Sequence, residues 1–342
     1  MKFFCLISVV LATAFIAACG SSGGETEGGD VPTQVAETTV EALPPQKQDR
    51  SLWVAMDGWD TAESLAFPMA EELNDFTKVG VEVVTLSPVT PRLSIPDVKK
   101  RQDEVGVAHG PEAVLARAKG VPIVILGSFV PQPTAAMIWP KESKIDSIAD
   151  LKGKTIAIPG LEFQRDFLKI ALAQGGMTLD DVKVKKVGND LVPALLHGRA
   201  DAIFGGSMNL EGAELRDHGV EPVATPVSSF GIPSYEELVL VAREDWAAKN
   251  PDTVHSLVDA LARGASAAIG DPKAATEVLE SDGERNPAIS PRARGAEVRQ
   301  TLPLLSETVH VSAARTKDLI DWMYEEEMIP RKLPASELLA SP

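Results

Sequence analysis

From Leu52 onward, short apolar runs alternate with stretches in which apolar residues recur every three to four positions. The short runs are LWVAMD (52–57), VGVEVVTL (79–86), EVGVAHG (104–110), PIVILGSF (122–129), TIAIPG (155–160), VKVKKVG (182–188) and DAIFGG (201–206). Each has strand length and is rich in β-branched residues, and the intervening periodicity is that of helices. The alternation predicts an α/β architecture with mainly parallel sheets. Beyond Trp246 the pattern is helical throughout. PDTVHSLVDALARGASAAI begins with Pro251 and Asp252 at a helix start. TAAMIWP (134–140) and ELVLVARE (237–244) sit where one block gives way to the next. If the chain crosses at both, two α/β lobes result, 51–137 with 238–342 and 138–237, joined by a two-strand hinge. Such a hinge makes a cleft that opens and closes.

The first residues change the picture of where this happens. An apolar run from Phe3 to Ile16, behind a single lysine, is too short for a comfortable membrane span and suits a secretory signal over 1–18. Small residues before Cys19, with Gly20 and Ser21 after it, resemble the lipobox of bacterial lipoproteins, which implies lipidation of Cys19 and a membrane anchor outside the cytoplasm. Residues 19–50 are small, acidic and proline-bearing, with too little apolar content to bury a core, and are expected to be a disordered tether. The other cysteine, Cys5, lies in the signal, so neither a disulfide nor a cysteine metal cluster is available to the mature chain. The net charge of −16 argues against a nucleic-acid partner. No two histidines have metal-ligand spacing, and neither a G-x-S-x-G elbow nor a Walker A motif occurs, so no metal, cofactor or catalytic residue is expected. The acid pair Glu236-Glu237 and the run Glu325-Glu326-Glu327 read as solvent-facing.

Five segments carry a resemblance: DGW (57–59), VAHGPEAVLARAKGVPIV (107–124), IADLKGKTIAIPG (148–160), DLVPALLHGRADAIFGGSMNLEG (190–212) and GIPSYEELVLVA (231–242). Together they resemble the type II periplasmic solute-binding proteins of ABC transporters. The likeness is strongest to the branch of thiamine-pyrimidine-precursor binding proteins and the yeast pyrimidine synthase. The resemblance implies a type II periplasmic binding protein fold and a monomer that closes over a small aromatic heterocycle. The ligand it points to is a thiamine-related pyrimidine, delivered to an ABC permease. Riboflavin, or an aromatic acid or sulfonate, is the alternative ligand. An enzyme of the pyrimidine-synthase type is disfavoured, because that chemistry relies on a cysteine-rich metal motif that this chain lacks. Relatives often carry Trp where this chain has Met208.

In this fold, ligands bind at the carboxyl ends of strands from both lobes. From the first lobe the candidates are Asp57, for an amino group; Trp59, for stacking; and His109, which follows a strand and precedes Gly110-Pro111. From the second they are Phe163 and Gln164 at a helix start, Met208, Asn209 and Glu211, with Tyr235 near the hinge. A carboxylate such as Glu211 can accept from the exocyclic amine of an aminopyrimidine and from its protonated ring nitrogen. The competing duty of Ser207, Asn209 and Glu211 is to cap the helix that follows Gly205-Gly206.

Overall fold

The computed structural model describes residues 51–56, 61–86, 94–100, 104–281 and 289–340. Cys19, Asp57 and Trp59 lie outside the described residues, as do the expected signal and tether.

Among the described residues, ten strands form two five-stranded sheets. The strands are β1 (Ser51–Ala55), β2 (Glu82–Leu86), β3 (Val105–His109), β4 (Ile123–Val130) and β5 (Ala135–Pro140), then β6 (Thr155–Ile158), β7 (Lys183–Lys186), β8 (Ala202–Ser207), β9 (Pro222–Pro226) and β10 (Leu238–Arg243). The first sheet has the order β2-β1-β3-β10-β4 and the second β7-β6-β8-β5-β9. The helices between strands are α1 (Ala66–Glu72), α2 (Asp75–Lys78), α3 (Ser94–Lys99), α4 (Gly110–Ala118), α5 (Glu162–Gln174), α6 (Leu191–Leu196) and α7 (Glu211–Asp217). After β10 come α8 (Glu244–Lys249), α9 (Pro251–Gly270), α10 (Pro272–Ser281), α11 (Pro291–Thr301), α12 (Ala313–Glu325) and α13 (Ala335–Leu338).

Both sheets are mixed rather than mainly parallel. β10 runs antiparallel to β3 and β4, and β5 runs antiparallel to β8 and β9. The reason is topological. A chain that leaves one sheet at a strand's carboxyl end enters the other at that same edge, so its first strand there runs the opposite way. β5 and β10 are those two strands, and each lies wholly in one sheet. The connections between the sheets are therefore the segments 131–134 and 227–237, not the strands themselves. A consequence matters for function: the carboxyl ends of β1, β3, β6 and β8 and the starts of β5 and β10 all face one cleft.

The apolar pattern accounts for the packing. β3 is buried along Val105–Ala108, and β10 is buried from Leu238 to Ala242, as expected of strands covered on both faces. α9 begins at Pro251, buries Leu257, Leu261 and Ala265, and packs against α1. Gly264 is required there, because a Cβ would come within 2.2 Å of the Ala66 carbonyl oxygen. Among the described residues, no helix is long and apolar enough to cross a membrane.

Candidate functional site

The cleft between the sheets encloses about 570 Å³. Its walls come from strand ends: Met56 after β1, His109 ending β3, Pro159 and Gly160 after β6, Gly205 and Ser207 at the end of β8, and Glu237 before β10.

The glycine pair in β8 shapes one wall. Opposite β5 the register jumps, with Ala136 paired to Gly206 and Met137 to Phe204, so Gly205 is an extra residue in the strand. Its φ of +89° suits glycine, and a Cβ there would sit 3.0 Å from Gln164 Nε2. At Gly206 a Cβ would meet the Glu211 carboxyl group at 3.2 Å. The pair thus clears space for two polar side chains over the end of the strand. Glu211 folds back so that Oε2 accepts from Ser207 N at 2.7 Å, with Ser207 Oγ 3.4 Å away. Burial pushes the Glu211 pKa up against these hydrogen bonds. Gln164 turns its Oε1 to the amides of Gly160 and Leu161, both at 3.0 Å, which secures the loop entering α5.

Asn209 does not cap the helix: Leu210 holds the N-cap position of α7, and the cap makes no side-chain hydrogen bond. Instead Nδ2 donates to Glu63 Oε1 at 2.9 Å and to Thr301 Oγ1 at 3.0 Å, both in the other lobe. It is 4 % exposed and stands behind the cleft wall rather than in it. Met208 also differs from expectation. Its Sδ packs over Gly212 and its chain packs against the apolar cluster that includes Leu191 and Leu215, and Met208 is not among the described cleft-lining residues. Phe163 and Tyr235 are buried supports: Phe163 has its ring 5.9 Å from His109 and 5.1 Å from Phe167, and Tyr235 lies 5.8 Å from Phe167. Burial and the nearby Glu237 carboxylate push the Tyr235 hydroxyl well above its usual pKa.

His109 lines the cleft, with Nδ1 2.9 Å from Glu237 Oε1. The β-register explains the pairing, since His109 ends β3 opposite Leu238, which begins β10. Glu237 Oε2 also accepts from the amides of Thr134 and Ala135, at 2.8 and 3.3 Å, so one carboxylate on the returning connection grips the outgoing one. Burial would raise the Glu237 pKa, but the hydrogen bonds and charge of His109 and the two amides outweigh it and hold it below the usual value. Glu236 is buried too, accepting from Ser128 Oγ at 2.7 Å, Ser312 N at 3.0 Å and Arg315 Nη1 at 2.7 Å. The expectation that this acid pair faces solvent is corrected: the chain changes sheets here, and its buried amides and cations need acceptors.

Sequence reasoning missed the charge of the site. Glu63, Asp190, Glu214 and Glu297 line the cleft together with Glu211 and Glu237, and no Lys or Arg is among the described lining residues. Burial raises Glu63 to about 7, helped by the Glu237 charge. Burial likewise raises Glu297 to about 7, and burial and neighbouring Glu211 raise Glu214 to about 7. Nothing near Glu63 or Glu297 in sequence marks either one, because they meet only through the return of the C-terminal helices. The Glu237 signal was its place at the start of a strand re-entering the sheet.

Residues 62–275 match the model of the NMT1/THI5-like family. The chain belongs to that family. Over its whole length it is 25% identical to the formylaminopyrimidine-binding protein of Halalkalibacterium halodurans, covering 99% of that protein. A putative thiamine biosynthesis protein of Haemophilus influenzae is 26% identical over 86% of this chain and 92% of its own. Among solved structures, the periplasmic aliphatic sulphonate binding protein SsuA of Escherichia coli superposes with a TM-score of 0.66. At 16% identity it covers 86% of this chain and 93% of its own. This NMT1/THI5-like chain therefore has the periplasmic binding protein fold.

Proposed function

We propose that this NMT1/THI5-like protein is the extracytoplasmic solute-binding component of an ABC importer, and that its ligand is a thiamine-related aminopyrimidine. The observation that carries the reading is the acid-lined cleft between two lobes. An aminopyrimidine offers an exocyclic amine and a basic ring nitrogen, and both are matched by carboxylate acceptors. A sulfonate, an aromatic acid or a phosphate ester would meet six carboxyl side chains against the one histidine, His109, among the described lining residues. Two pyrimidine- and thiamine-related relatives across most of the chain support the same class.

In this reading Glu211 takes the amidine-like edge, and His109 and Gln164 supply further polar contacts. Phe163 and Tyr235 hold the wall behind His109. Asp57 and Trp59, in the segment after β1, remain proposed contacts. Binding joins the lobes about the connections at 131–134 and 227–237, and a permease then distinguishes loaded from empty protein. In this reading the protein binds without turnover; its only cysteines, Cys5 and Cys19, precede the described residues, which therefore hold no cysteine-rich metal motif. We further propose a monomer held to the membrane by a lipid on Cys19.

Thermal-shift and calorimetric titration with 4-amino-5-hydroxymethyl-2-methylpyrimidine, its formylaminomethyl analogue, riboflavin and taurine tests the ligand class. Stabilisation by the pyrimidines alone is expected. A response to riboflavin or taurine with none to any pyrimidine overturns it. Intact mass of the membrane-extracted protein tests the anchor, which a Cys19→Ala chain should lose.

A further inference from the structure

The cleft holds more carboxylate than an aminopyrimidine edge can use. Glu211 alone suffices for the ring nitrogen and its neighbouring amine. Both Glu237 oxygens are committed, to His109 and to the Thr134 and Ala135 amides. Glu63 and Glu297 are different. Glu63 Oε1 accepts from Asn209 Nδ2 at 2.9 Å, and Glu297 Oε1 accepts from Ala62 N at 2.7 Å, but in each case Oε2 accepts no hydrogen bond from the described residues. Both side chains line the cleft while only 6 % and 4 % exposed. The bond to Ala62 also brings Glu297 beside Glu63, so two buried acids with a spare oxygen each share one stretch of wall.

Two neighbouring acids of low exposure repel each other when both are ionised, and a cation seated between them relieves that repulsion. A neutral hydroxyl or formamide would give one donor and no charge. An ammonium group gives three donors and a positive charge, enough to satisfy both oxygens. We propose that the ligand carries, besides the aminopyrimidine edge at Glu211, a primary ammonium group seated between Glu63 and Glu297. The preferred ligand class is then an aminomethyl-pyrimidine with a free amine, rather than its hydroxymethyl, formylated or phosphorylated counterparts. This inference rests on the aminopyrimidine reading above. It also places the protein's cargo downstream of any reaction that would remove an acyl group from the side-chain nitrogen.

The test is calorimetric titration of the purified protein with three probes: 4-amino-5-aminomethyl-2-methylpyrimidine, its hydroxymethyl analogue and its N-formyl derivative. The aminomethyl compound is expected to bind at least about tenfold more tightly than either of the others, as a charge-assisted contact in a buried site should. In Glu63→Gln and in Glu297→Gln, each checked for native circular dichroism, the ratio of aminomethyl to hydroxymethyl affinity should fall towards one. A merely structural role for these acids would weaken all probes together and leave the ratio intact, which overturns the assignment. Should neither variant fold, the wild-type ratio decides alone. Equal binding of all three probes overturns the ammonium proposal and leaves the aminopyrimidine reading standing. Binding of none removes both.

Discussion

Asn209 Nδ2 donates to Glu63 Oε1 at 2.9 Å, joining the turn after β8 in one lobe to the segment before α1 in the other. The same nitrogen reaches Thr301 Oγ1 at the end of α11. One amide thus ties a cleft-lining acid before α1 to the turn after β8 without itself lining the cleft.

Asn209→Ala should therefore weaken ligand binding through closure. Loss of two buried hydrogen bonds that leaves Glu63 short of a donor costs about 1–3 kcal/mol. Calorimetry is expected to show roughly a tenfold or greater loss of affinity on that scale. Small-angle scattering should show the saturated variant more extended than the saturated wild type. Unchanged affinity would refute the coupling.

Glu211→Ala should act directly on the ligand. Removing a buried charge-assisted partner costs about 2–5 kcal/mol of binding. The variant also frees Ser207 N and empties the space beside Gly206, so its melting temperature without ligand is a necessary control. A normal affinity for every aminopyrimidine in a folded Glu211→Ala protein would remove this residue from the site.

Acidity should stabilise the empty protein. Glu63, Glu214 and Glu297 titrate at about 7 when folded, against an ordinary value of 4.5. The folded state then holds more protons than the unfolded chain between those limits. Their contribution is fully present below 4.5 and is lost as pH rises through about 7. Scanning calorimetry without ligand should show the melting temperature falling as pH rises from 4.5 to about 7 and levelling off above that. A cationic ligand should bind more tightly over the same rise, releasing protons detectable in buffers of different ionisation enthalpy. A melting temperature that climbs through this interval contradicts the expectation.

Glu237→Ala should unfold the junction between the lobes more readily. The substitution strands the amides of Thr134 and Ala135 and removes one partner of His109. Breaking a buried pair in this way costs about 3–5 kcal/mol. Urea denaturation is expected to show that loss, with the effect of the exposed-acid control Glu325→Ala near zero. Equal midpoints for the two variants would argue against the clasp.

Local pattern was enough for much of the fold. Runs such as TIAIPG and ELVLVARE have the length and branching of buried strands, and the periodic stretches between them are helices, because burial on two faces or along one stripe is written in neighbouring residues. Gly205 and Gly206 marked the turn that opens onto the cleft, since a bulge with positive φ and a close side chain requires glycine. His109, Gln164 and Glu211 were legible as residues just past strand ends. The direction of β5 and β10 was not, because antiparallel pairing follows from which edge the crossing chain enters.

The polar roles depended most on long-range contacts. Asn209 looked like a ligand contact or a helix cap, yet its partners are Glu63 and Thr301, distant in sequence. Glu237 looked like a solvated acid, yet the crossing of the chain buries it against three donors. By itself the sequence determined an alternating α/β chain, strand ends rich in candidate contacts and a cysteine-free folded region. Only the tertiary structure decided that Glu63 and Glu297 meet across a buried wall, because a charge acquires its meaning from what the fold removes from water around it.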